Sequence, residues 1–200
     1  MSLTQHLVIF ARAPRLGQGK RRLARGAGDL TALRFHRLNT ARILRRVADD
    51  PRWTTWLAVT PDRAARAGRG LWRSAAHVIP QGRGDLGTRM ARAMAARTPG
   101  PVVVVGSDIP DLRADDVAAA FDRLGRHDAV IGPADDGGYW LIGMRRRPVF
   151  RPPFSGVRWG TAHARVDTVA NLRHQGQSVA FLDELNDVDT VADLRPDLWR

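Results

Sequence analysis

Short apolar runs alternate along this chain with longer segments of helical periodicity. The clearest run is residues 101–105, a β-branched stretch that predicts a buried strand and ends at Gly106-Ser107-Asp108. The longest helical segment is residues 30–47, where apolar residues recur at spacings of three and four. Strands that alternate with helices form right-handed βαβ units. The pattern therefore predicts an α/β fold with a mostly parallel sheet covered by helices on both faces.

The other elements follow from the same two periodicities. We expect further strands over residues 6–11, 56–59, 77–79, 129–131, 139–143 and 179–182, and further helices over residues 86–96, 117–124 and 162–175, with a short closing helix over residues 188–194. No repeat, low-complexity tract or linker interrupts the chain, and 200 residues fit one domain. We therefore predict a single domain over residues 1–200.

Polar motifs follow the predicted strands at the points where the strands end. They come after Ala11, Ile79, Val105, Ile131 and Leu182. In open sheets of parallel strands, ligands bind beyond the carboxyl ends of the strands. The sequence therefore predicts one shared ligand site at that edge of the sheet.

The first of these motifs is a glycine-containing loop, A-P-R-L-G-Q-G-K-R-R-L over residues 13–23. Glycines allow the backbone to approach a ligand closely, and successive N–H groups in such a loop bind anions. Lys20 adds a point charge and Arg22 a bidentate fork for phosphate oxygens. The spacing is neither that of a Walker A loop nor that of a dinucleotide fingerprint. Taken alone, the motif also fits an ordinary strand-to-helix loop with solvated basic residues.

Asp108 directly follows the predicted strand over residues 101–105. A carboxylate there suits Mg²⁺ or Mn²⁺, because such ions take one or two protein carboxylates together with substrate phosphates. Asp187 and Asp189, just past the last strand, are the candidates for completing the site. The alternatives are helix caps: Asp108 or Asp111 for the next helix, and Asp187 for the closing helix. For Asp108 we favour the metal.

Two further loops suit substrate binding. The segment G-P-A-D-D-G-G-Y-W over residues 132–140 carries adjacent glycines before a strand, which favours acceptor binding, although a hairpin turn explains Asp136-Gly137 equally well. The segment over residues 81–90 opens a helix that Asp85 is expected to cap, and the N-terminus of that helix suits a phosphate or a sugar. We expect Asp115 and Asp116 only to oppose the dipole of the helix that follows Asp108.

Composition excludes several classes of protein. The chain has no cysteine, so disulfides, zinc–thiolate sites and thiol nucleophiles are excluded. Neither a signal-peptide pattern nor a membrane-spanning run is present, so we expect a cytoplasmic protein with no membrane partner. The net charge of +12 comes from arginines scattered along the chain, with Lys20 the single lysine, which makes nucleic acid an unlikely partner. Trp53 and Trp72 indicate either a homodimer interface or core.

The order of these motifs along the chain resembles that of the DUF2064 family. Its members are GT-A-like proteins of the nucleotide-diphospho-sugar transferase superfamily, and the resemblance covers residues 7–194. It also extends to the guanylyltransferases of deazaflavin cofactor biosynthesis, which share the Lys-x-Arg-Leu step found here at residues 20–23. The resemblance implies a Rossmann-like three-layer sandwich. Two positions depart from the family pattern: Arg21 replaces a usual threonine, and Gly160 replaces a common serine.

The resemblance also implies roles for individual residues. Lys20, Arg22 and Asp108 would be the catalytic set, with Asp108, Asp189 and Asp187 holding the metal. The residues expected to contact the nucleotide, sugar or acceptor are Pro14, Gly17, Lys20, Arg22, Gln81, Gly82, Asp85, Ser107, Asp136, Gly137, Gly138, Tyr139, Trp159 and Thr161.

We therefore expect a transferase that uses a nucleotide and Mg²⁺ or Mn²⁺. The leading hypothesis is glycosyl transfer from a nucleoside-diphosphate sugar to a small-molecule acceptor. The alternative is nucleotidyl transfer from a nucleoside triphosphate to a phosphorylated small molecule, with release of pyrophosphate. A basic nucleic-acid-binding protein is the non-enzyme alternative, which predicts binding that weakens steeply with salt.

Overall fold

The computed structural model describes residues 3–66, 72 and 77–199. Its centre is a seven-stranded sheet. The strands are β1 (His6–Arg12), β2 (Thr54–Thr60), β3 (His77–Pro80), β4 (Val102–Gly106), β5 (Ala129–Pro133), β6 (Tyr139–Met144) and β7 (Val179–Phe181). All seven strands that the sequence predicts are present within a few residues of their expected bounds.

The strand order across the sheet is β3-β2-β1-β4-β6-β5-β7. Six strands run parallel to one another, whereas β6 runs antiparallel to both of its neighbours, β4 and β5. The expectation of a mostly parallel sheet is confirmed. The strand order reverses between β1 and β4, and such a switch point is where ligands bind in open α/β sheets.

The described part of the chain has five α-helices. They are α1 (Arg21–Ala27), α2 (Asp29–Val47), α3 (Leu86–Ala95), α4 (Ala114–Leu124) and α5 (Ala164–His174). Apolar side chains of α2 and α4 pack on one face of the sheet, and those of α3 and α5 pack on the other. The result is the expected arrangement of three layers with a core on each side of the sheet.

The closing helix predicted over residues 188–194 is wrong. Asp193 accepts hydrogen bonds from the backbone N–H groups of Asp189 and Thr190 and from the Thr190 hydroxyl, which folds the segment into a turn. Short polar side chains that bond to nearby backbone in this way compete with helix formation. Because no helix begins there, Asp187 is not a helix cap. A 3₁₀ turn over Pro196–Trp199 lies further along the chain.

Both tryptophans that suggested either an interface or core are core residues. Trp53 and Trp72 are buried, and their indole N–H groups donate to the carbonyls of Val47 and Ala64 respectively. They therefore supply no exposed surface for a subunit contact. None of the helices in the described part of the chain is long and apolar enough to cross a membrane.

Candidate functional site

A cleft of about 540 Å³ opens at the carboxyl ends of β1, β2 and β4. The sequence argument predicted a site at this edge of the sheet. The described residues that line it are Phe10, Ala11, Arg12, Gly19, Lys20, Arg21, Arg22, His36, Thr60, Gln81, Leu86, Arg89, Gly106, Ser107, Asp108 and Asp189. A volume of this size is typical of small-molecule and cofactor sites.

The glycine-containing loop forms one wall of this cleft. Gly17 and Gly19 have φ of 70° and 80°, values that glycine adopts without strain. At Gly19 the missing side chain also makes room, since a Cβ there would lie 3.3 Å from Cδ of Arg12 and 3.9 Å from Nδ1 of His36. The loop ends at Lys20, which has a left-handed backbone (φ 43°, ψ 44°) directly before α1.

Lys20 directs its ammonium group into a cluster of three carboxylates. Its Nζ lies 3.0 Å from Oδ2 of Asp108, 2.9 Å from Oδ1 of Asp189 and 3.6 Å from Oδ2 of Asp187. The lysine side chain is only 8% exposed. Burial by itself would lower the pKa of Lys20, but the three carboxylates outweigh it and raise the pKa, so the ammonium stays charged.

Two different parts of the chain bring these carboxylates together. Asp108 follows β4, and its backbone carbonyl accepts a hydrogen bond of 3.4 Å from the N–H of Val188. That bond joins the loop after β4 to the segment that carries Asp187 and Asp189. The loop itself is anchored from α2, because Arg46 donates to the carbonyl of Pro110 at 2.6 Å.

Asp187 has the most perturbed carboxyl group of the cluster. Its pKa is raised to about 6, chiefly by burial; Lys20 opposes the shift, and the neighbouring Asp189 and Asp108 carboxylates add to it. A carboxyl group in this position is therefore sensitive to the charge of whatever cation stands beside it.

The cluster has the donor chemistry that Mg²⁺ and Mn²⁺ prefer, since carboxylate oxygens from three aspartates converge on one positive centre. In this structure that centre is the lysine ammonium. Among the described residues, no three acidic, histidine or cysteine side chains are spaced to hold an ion as they stand. The donor set thus fits a divalent ion, but only if Nζ of Lys20 gives up its place.

Arg22 lies at the outer edge of the same cluster. Its Nη1 is 3.4 Å from Oδ2 of Asp189, and its side chain is largely exposed. Two further guanidinium groups, Arg12 and Arg89, line the cleft with no ion pair to any carboxylate in the described part of the chain. Burial lowers the pKa of Arg89, and the nearby Arg12 lowers it further. Two neighbouring cations without a carboxylate partner attract an anion such as a phosphate.

Gln81 lines the cleft, but the polar atoms of its side chain form hydrogen bonds within the protein. Its Nε2 donates to the carbonyls of Ala11 (3.2 Å) and Ala58 (2.9 Å), and its Oε1 accepts from Nη1 of Arg89 at 2.6 Å. The side chain is 4% exposed. Gln81 therefore ties the ends of β1 and β2 together and positions Arg89.

Sequence reasoning missed His36. It is buried on α2 and lines the cleft, with Lys20, Arg12 and Asp108 near enough to influence its charge. No hydrogen bond to its ring occurs within the described ranges. Burial lowers the pKa of His36, Lys20 and Arg12 lower it further, and Asp108 opposes them. A lone histidine on a helix, with no further ligand-type residue at a recognisable spacing, gives no sequence signal of a site.

A second cleft, of about 240 Å³, adjoins the first and shares Leu86, Gly106 and Asp108 with it. Its other described lining residues are Ile109, Ala134, Asp136, Gly138, Tyr139, Trp140, Trp159, Gly160, Thr161, Ala164 and Asp187. The walls are aromatic and three carboxylates face in. No lysine or arginine is found among the residues that the structure places on this lining.

The loop over residues 134–138 is both a hairpin turn and part of this cleft. It connects the antiparallel strands β5 and β6, with the N–H of Ala134 donating to the carbonyl of Gly138. Oδ1 of Asp136 accepts a hydrogen bond of 2.8 Å from the N–H of Gly138. The two interpretations of this segment are therefore compatible, since the turn presents Asp136 and Gly138 to the cleft.

Trp159 and Tyr139 form the aromatic side of the second cleft. Their rings meet edge to face with centroids 6.3 Å apart. Burial raises the pKa of Tyr139, whose hydroxyl lies 3.4 Å from that of Thr168. The indole N–H of Trp159 is buried without a hydrogen-bond partner among the described residues. Thr161 donates to the carbonyl of Arg158 at 2.8 Å, which fixes the loop beside it.

The other predicted residues lie around the clefts. Asp85 caps α3, as expected, by accepting from the N–H of Thr88 at 2.7 Å. The N–H of Gly82 donates to Asp62. The linings of the two clefts do not include Pro14, Gly17, Gly82, Asp85 or Gly137.

The acidic residues after Asp108 have structural roles. Asp111 is paired with Arg195 at 2.8 Å. Asp116 accepts from the N–H of Arg113, the N-cap of α4, so neither Asp108 nor Asp111 caps that helix.

The family model of DUF2064, described as an uncharacterized protein conserved in bacteria, matches residues 43–161 of this chain. A 2-phospho-L-lactate guanylyltransferase from Methanothermobacter thermautotrophicus is 30% identical over 119 residues, which cover 57% of this chain and 50% of that protein. The chain therefore spans about half the length of this curated relative.

Two solved structures share the fold. A Desulfovibrio desulfuricans protein named "putative nucleotide-diphospho-sugar transferase" is 33% identical, with a TM-score of 0.85 over 94% of this chain and 84% of that one. Glucosyl-3-phosphoglycerate synthase from Mycobacterium tuberculosis, solved with Mn²⁺, uridine diphosphate and glucosyl-3-phosphoglycerate, is 13% identical, with a TM-score of 0.55 over 92% and 71%. The GT-A-like fold implied by the sequence is confirmed, and it is the fold of nucleotide-using transferases.

Proposed function

Given that this chain belongs to DUF2064, a family of uncharacterized bacterial proteins, we propose that it transfers a glycosyl group from a nucleoside-diphosphate sugar to a small-molecule acceptor. The nucleoside diphosphate occupies the larger cleft, and the sugar and its acceptor meet in the second cleft. The similarity to the Desulfovibrio desulfuricans protein supports this assignment.

The larger cleft suits the diphosphate. Its lining carries Lys20, Arg12 and Arg89 together with Gly19 of the glycine-containing loop. Arginine forks and glycine-loop N–H groups are the usual partners of phosphate oxygens. In this proposal these groups hold the diphosphate and accept the charge that develops on it as the leaving group.

The lining of the second cleft carries the proposal. It offers Asp136, Asp187 and Asp108 beside the rings of Tyr139 and Trp159, and no basic side chain is present among its described residues. Sugar hydroxyls donate hydrogen bonds to carboxylates, and the faces of sugar rings pack on aromatic side chains. A phosphorylated acceptor would instead find no lysine or arginine on this lining and would face the Asp136 carboxylate, since Lys20 is already paired with Asp108 and Asp187.

Asp136 is placed to act as the general base. Its Oδ1 is held by the N–H of Gly138, while Oδ2 makes no hydrogen bond within the described part of the chain. In the proposed reaction Oδ2 takes the proton of the acceptor hydroxyl as its oxygen attacks the anomeric carbon of the sugar, and the nucleoside diphosphate leaves. Positioning by the two clefts supplies much of the remaining rate enhancement.

Asp108, Asp187 and Asp189 are the side chains that would hold Mg²⁺ or Mn²⁺. Bound to them, the ion would neutralise charge on the departing diphosphate. The Mycobacterium tuberculosis synthase, which shares the fold, was solved with Mn²⁺ and uridine diphosphate. The cofactor is thus part of the proposal for this chain.

Nucleotidyl transfer from a nucleoside triphosphate is the second candidate. The relative that is 30% identical is a guanylyltransferase. Arg12 and Arg89, which form no ion pair with a described carboxylate, suit a third phosphate. The two reactions differ in the product that is released. Glycosyl transfer and the accompanying hydrolysis release a nucleoside diphosphate, whereas nucleotidyl transfer releases pyrophosphate.

The test is an assay of both products with a panel of nucleoside-diphosphate sugars and nucleoside triphosphates, each with Mg²⁺ or Mn²⁺. We expect nucleoside diphosphate from one sugar donor. Asp108→Asn should lower that rate by several orders of magnitude. Asp111→Asn, which removes the surface pair with Arg195 and lies on neither cleft lining, is the matched control and should retain it. Pyrophosphate release from a triphosphate, with no turnover of any sugar donor, would refute glycosyl transfer.

A further inference from the structure

The position of the Lys20 ammonium bears on how a metal enters the site. Nζ stands within 3.0 Å of Asp108 and Asp189 and 3.6 Å from Asp187, so it lies where the three carboxylates converge. A divalent ion that used the same oxygens would need ligand distances of about 2.0–2.2 Å around a common centre. The ammonium and the ion therefore exclude each other sterically, and they also repel each other.

The charge balance favours the lysine in the absence of a ligand. Lys20 and Arg22 together offset two of the three carboxylate charges. The ammonium is already desolvated, since only 8% of the Lys20 side chain is exposed. Water therefore does little to weaken its contact with the carboxylates. A hydrated divalent ion has to lose water and displace this contact before it gains its own ligands.

A diphosphate changes this balance. Lys20 also lines the larger cleft, beside Gly19 and Arg12. Its flexible four-carbon stem lets Nζ move from the carboxylates to a phosphate oxygen while the backbone stays in place. Phosphate oxygens then supply both a new partner for the ammonium and additional ligands for the metal.

We propose that Lys20 is the resident counter-ion of the Asp108–Asp187–Asp189 cluster in the ligand-free protein, and that a divalent ion replaces it only when a diphosphate draws the ammonium away. The proposal rests on the proposed function for the identity of the diphosphate. It makes metal and nucleotide binding mutually dependent, because each of them favours the state in which Nζ has left the carboxylates.

The primary experiment is a titration of the nucleotide-free protein with Mn²⁺, followed by electron paramagnetic resonance. Wild type should bind Mn²⁺ weakly, and Lys20→Met should bind it at least about tenfold more tightly, because the competing ammonium is gone. Arg22→Met is the matched control, since it removes a positive charge beside Asp189 that does not occupy the centre of the cluster. It should change the Mn²⁺ affinity much less than Lys20→Met does.

A second measurement does not depend on any variant. Lys20 is the single lysine of the chain, so selective ¹³Cε-lysine labelling gives one side-chain resonance to follow by NMR. Mg²⁺ alone should leave this resonance nearly unchanged. Mg²⁺ together with uridine diphosphate or guanosine diphosphate should shift it, as Nζ exchanges carboxylates for phosphate.

Two results would overturn the proposal. One is a Lys20→Met protein, folded by circular dichroism, that binds Mn²⁺ no more tightly than wild type. The other is a lysine resonance that shifts fully with Mg²⁺ alone. Failure of the proposed function has a different signature: neither diphosphate shifts the resonance and no nucleoside-diphosphate sugar is turned over, while the Mn²⁺ titrations of wild type and Lys20→Met still differ.

Discussion

The carboxamide of Gln81 holds the guanidinium of Arg89 in the larger cleft, with 2.6 Å between Oε1 and Nη1. The same carboxamide donates to the carbonyls of Ala11 and Ala58 on two adjacent strands. A buried side chain thus fixes the position of a charged one that faces the ligand. Arrangements of this kind place a binding group more accurately than a loop alone.

Gln81→Leu tests this arrangement. The variant leaves two strand-end carbonyls without their donor in a buried site, which should cost about 1–3 kcal/mol in the free energy of unfolding. Without its acceptor, Arg89 should also bind the diphosphate less well. Urea unfolding and calorimetry with uridine and guanosine diphosphates measure the two effects. Arg89→Met, which keeps the carboxamide contacts with the strands, should weaken nucleotide binding with a smaller loss of stability.

Asp136→Asn tests the assignment of the general base. The amide keeps an oxygen for the N–H of Gly138 and nearly the same volume, but it cannot take a proton. We expect kcat to fall by about 10²- to 10⁴-fold, while the affinity for the nucleoside diphosphate alone stays within about twofold. Steady-state kinetics with the active donor, together with calorimetry, separate these quantities. An unchanged kcat would remove Asp136 from the proposed mechanism.

Gly137 and Gly160 allow a matched test of the loops around the second cleft. Both have positive φ, of 81° and 72°. A Cβ on Gly137 would lie 2.6 Å from Cα of Ala162, whereas a Cβ on Gly160 would meet nothing within 4 Å. Gly160→Ala should therefore cost only about 1 kcal/mol for its backbone conformation, and Gly137→Ala clearly more, since the turn must also move. Equal unfolding midpoints for the two variants would contradict this account.

Much of the fold could be predicted from the sequence because buried strands and amphipathic helices have clear periods. The apolar pattern of β6 does not give its direction, since a strand buried on both faces has the same pattern whether it runs parallel or antiparallel. The hairpin interpretation of Asp136-Gly137 was the one sequence signal for the antiparallel direction. Helix α1 was missed because its arginines and Gly26 obscure any apolar stripe. The closing helix was wrong because Asp193 caps a turn there, and the hydrogen bonds of that turn depend on where the segment packs.

The candidate site was predicted in its location but not in its internal pairing. The carboxyl-end rule brought the glycine loop, Asp108 and Asp187 to one edge of the sheet. The position of Lys20 among the carboxylates could not be predicted, because it depends on the left-handed backbone at Lys20 itself. His36 was missed for a similar reason: only the path of α2 past the cleft makes it part of the lining.

His36 should make the protein less stable in mild acid. Burial is the main cause of its lowered pKa, so below the ordinary value of 6.5 the unfolded chain takes up a proton that the folded protein still refuses. The unfolded state then binds more protons, and stability falls as the pH drops through this window. His36→Gln removes the titrating group while leaving His6 and Asp187 in place. Urea midpoints from about pH 8 to about pH 5 should therefore fall further for wild type than for His36→Gln. If the two curves stay parallel over the whole range, His36 is not the neutral, buried imidazole that the structure describes.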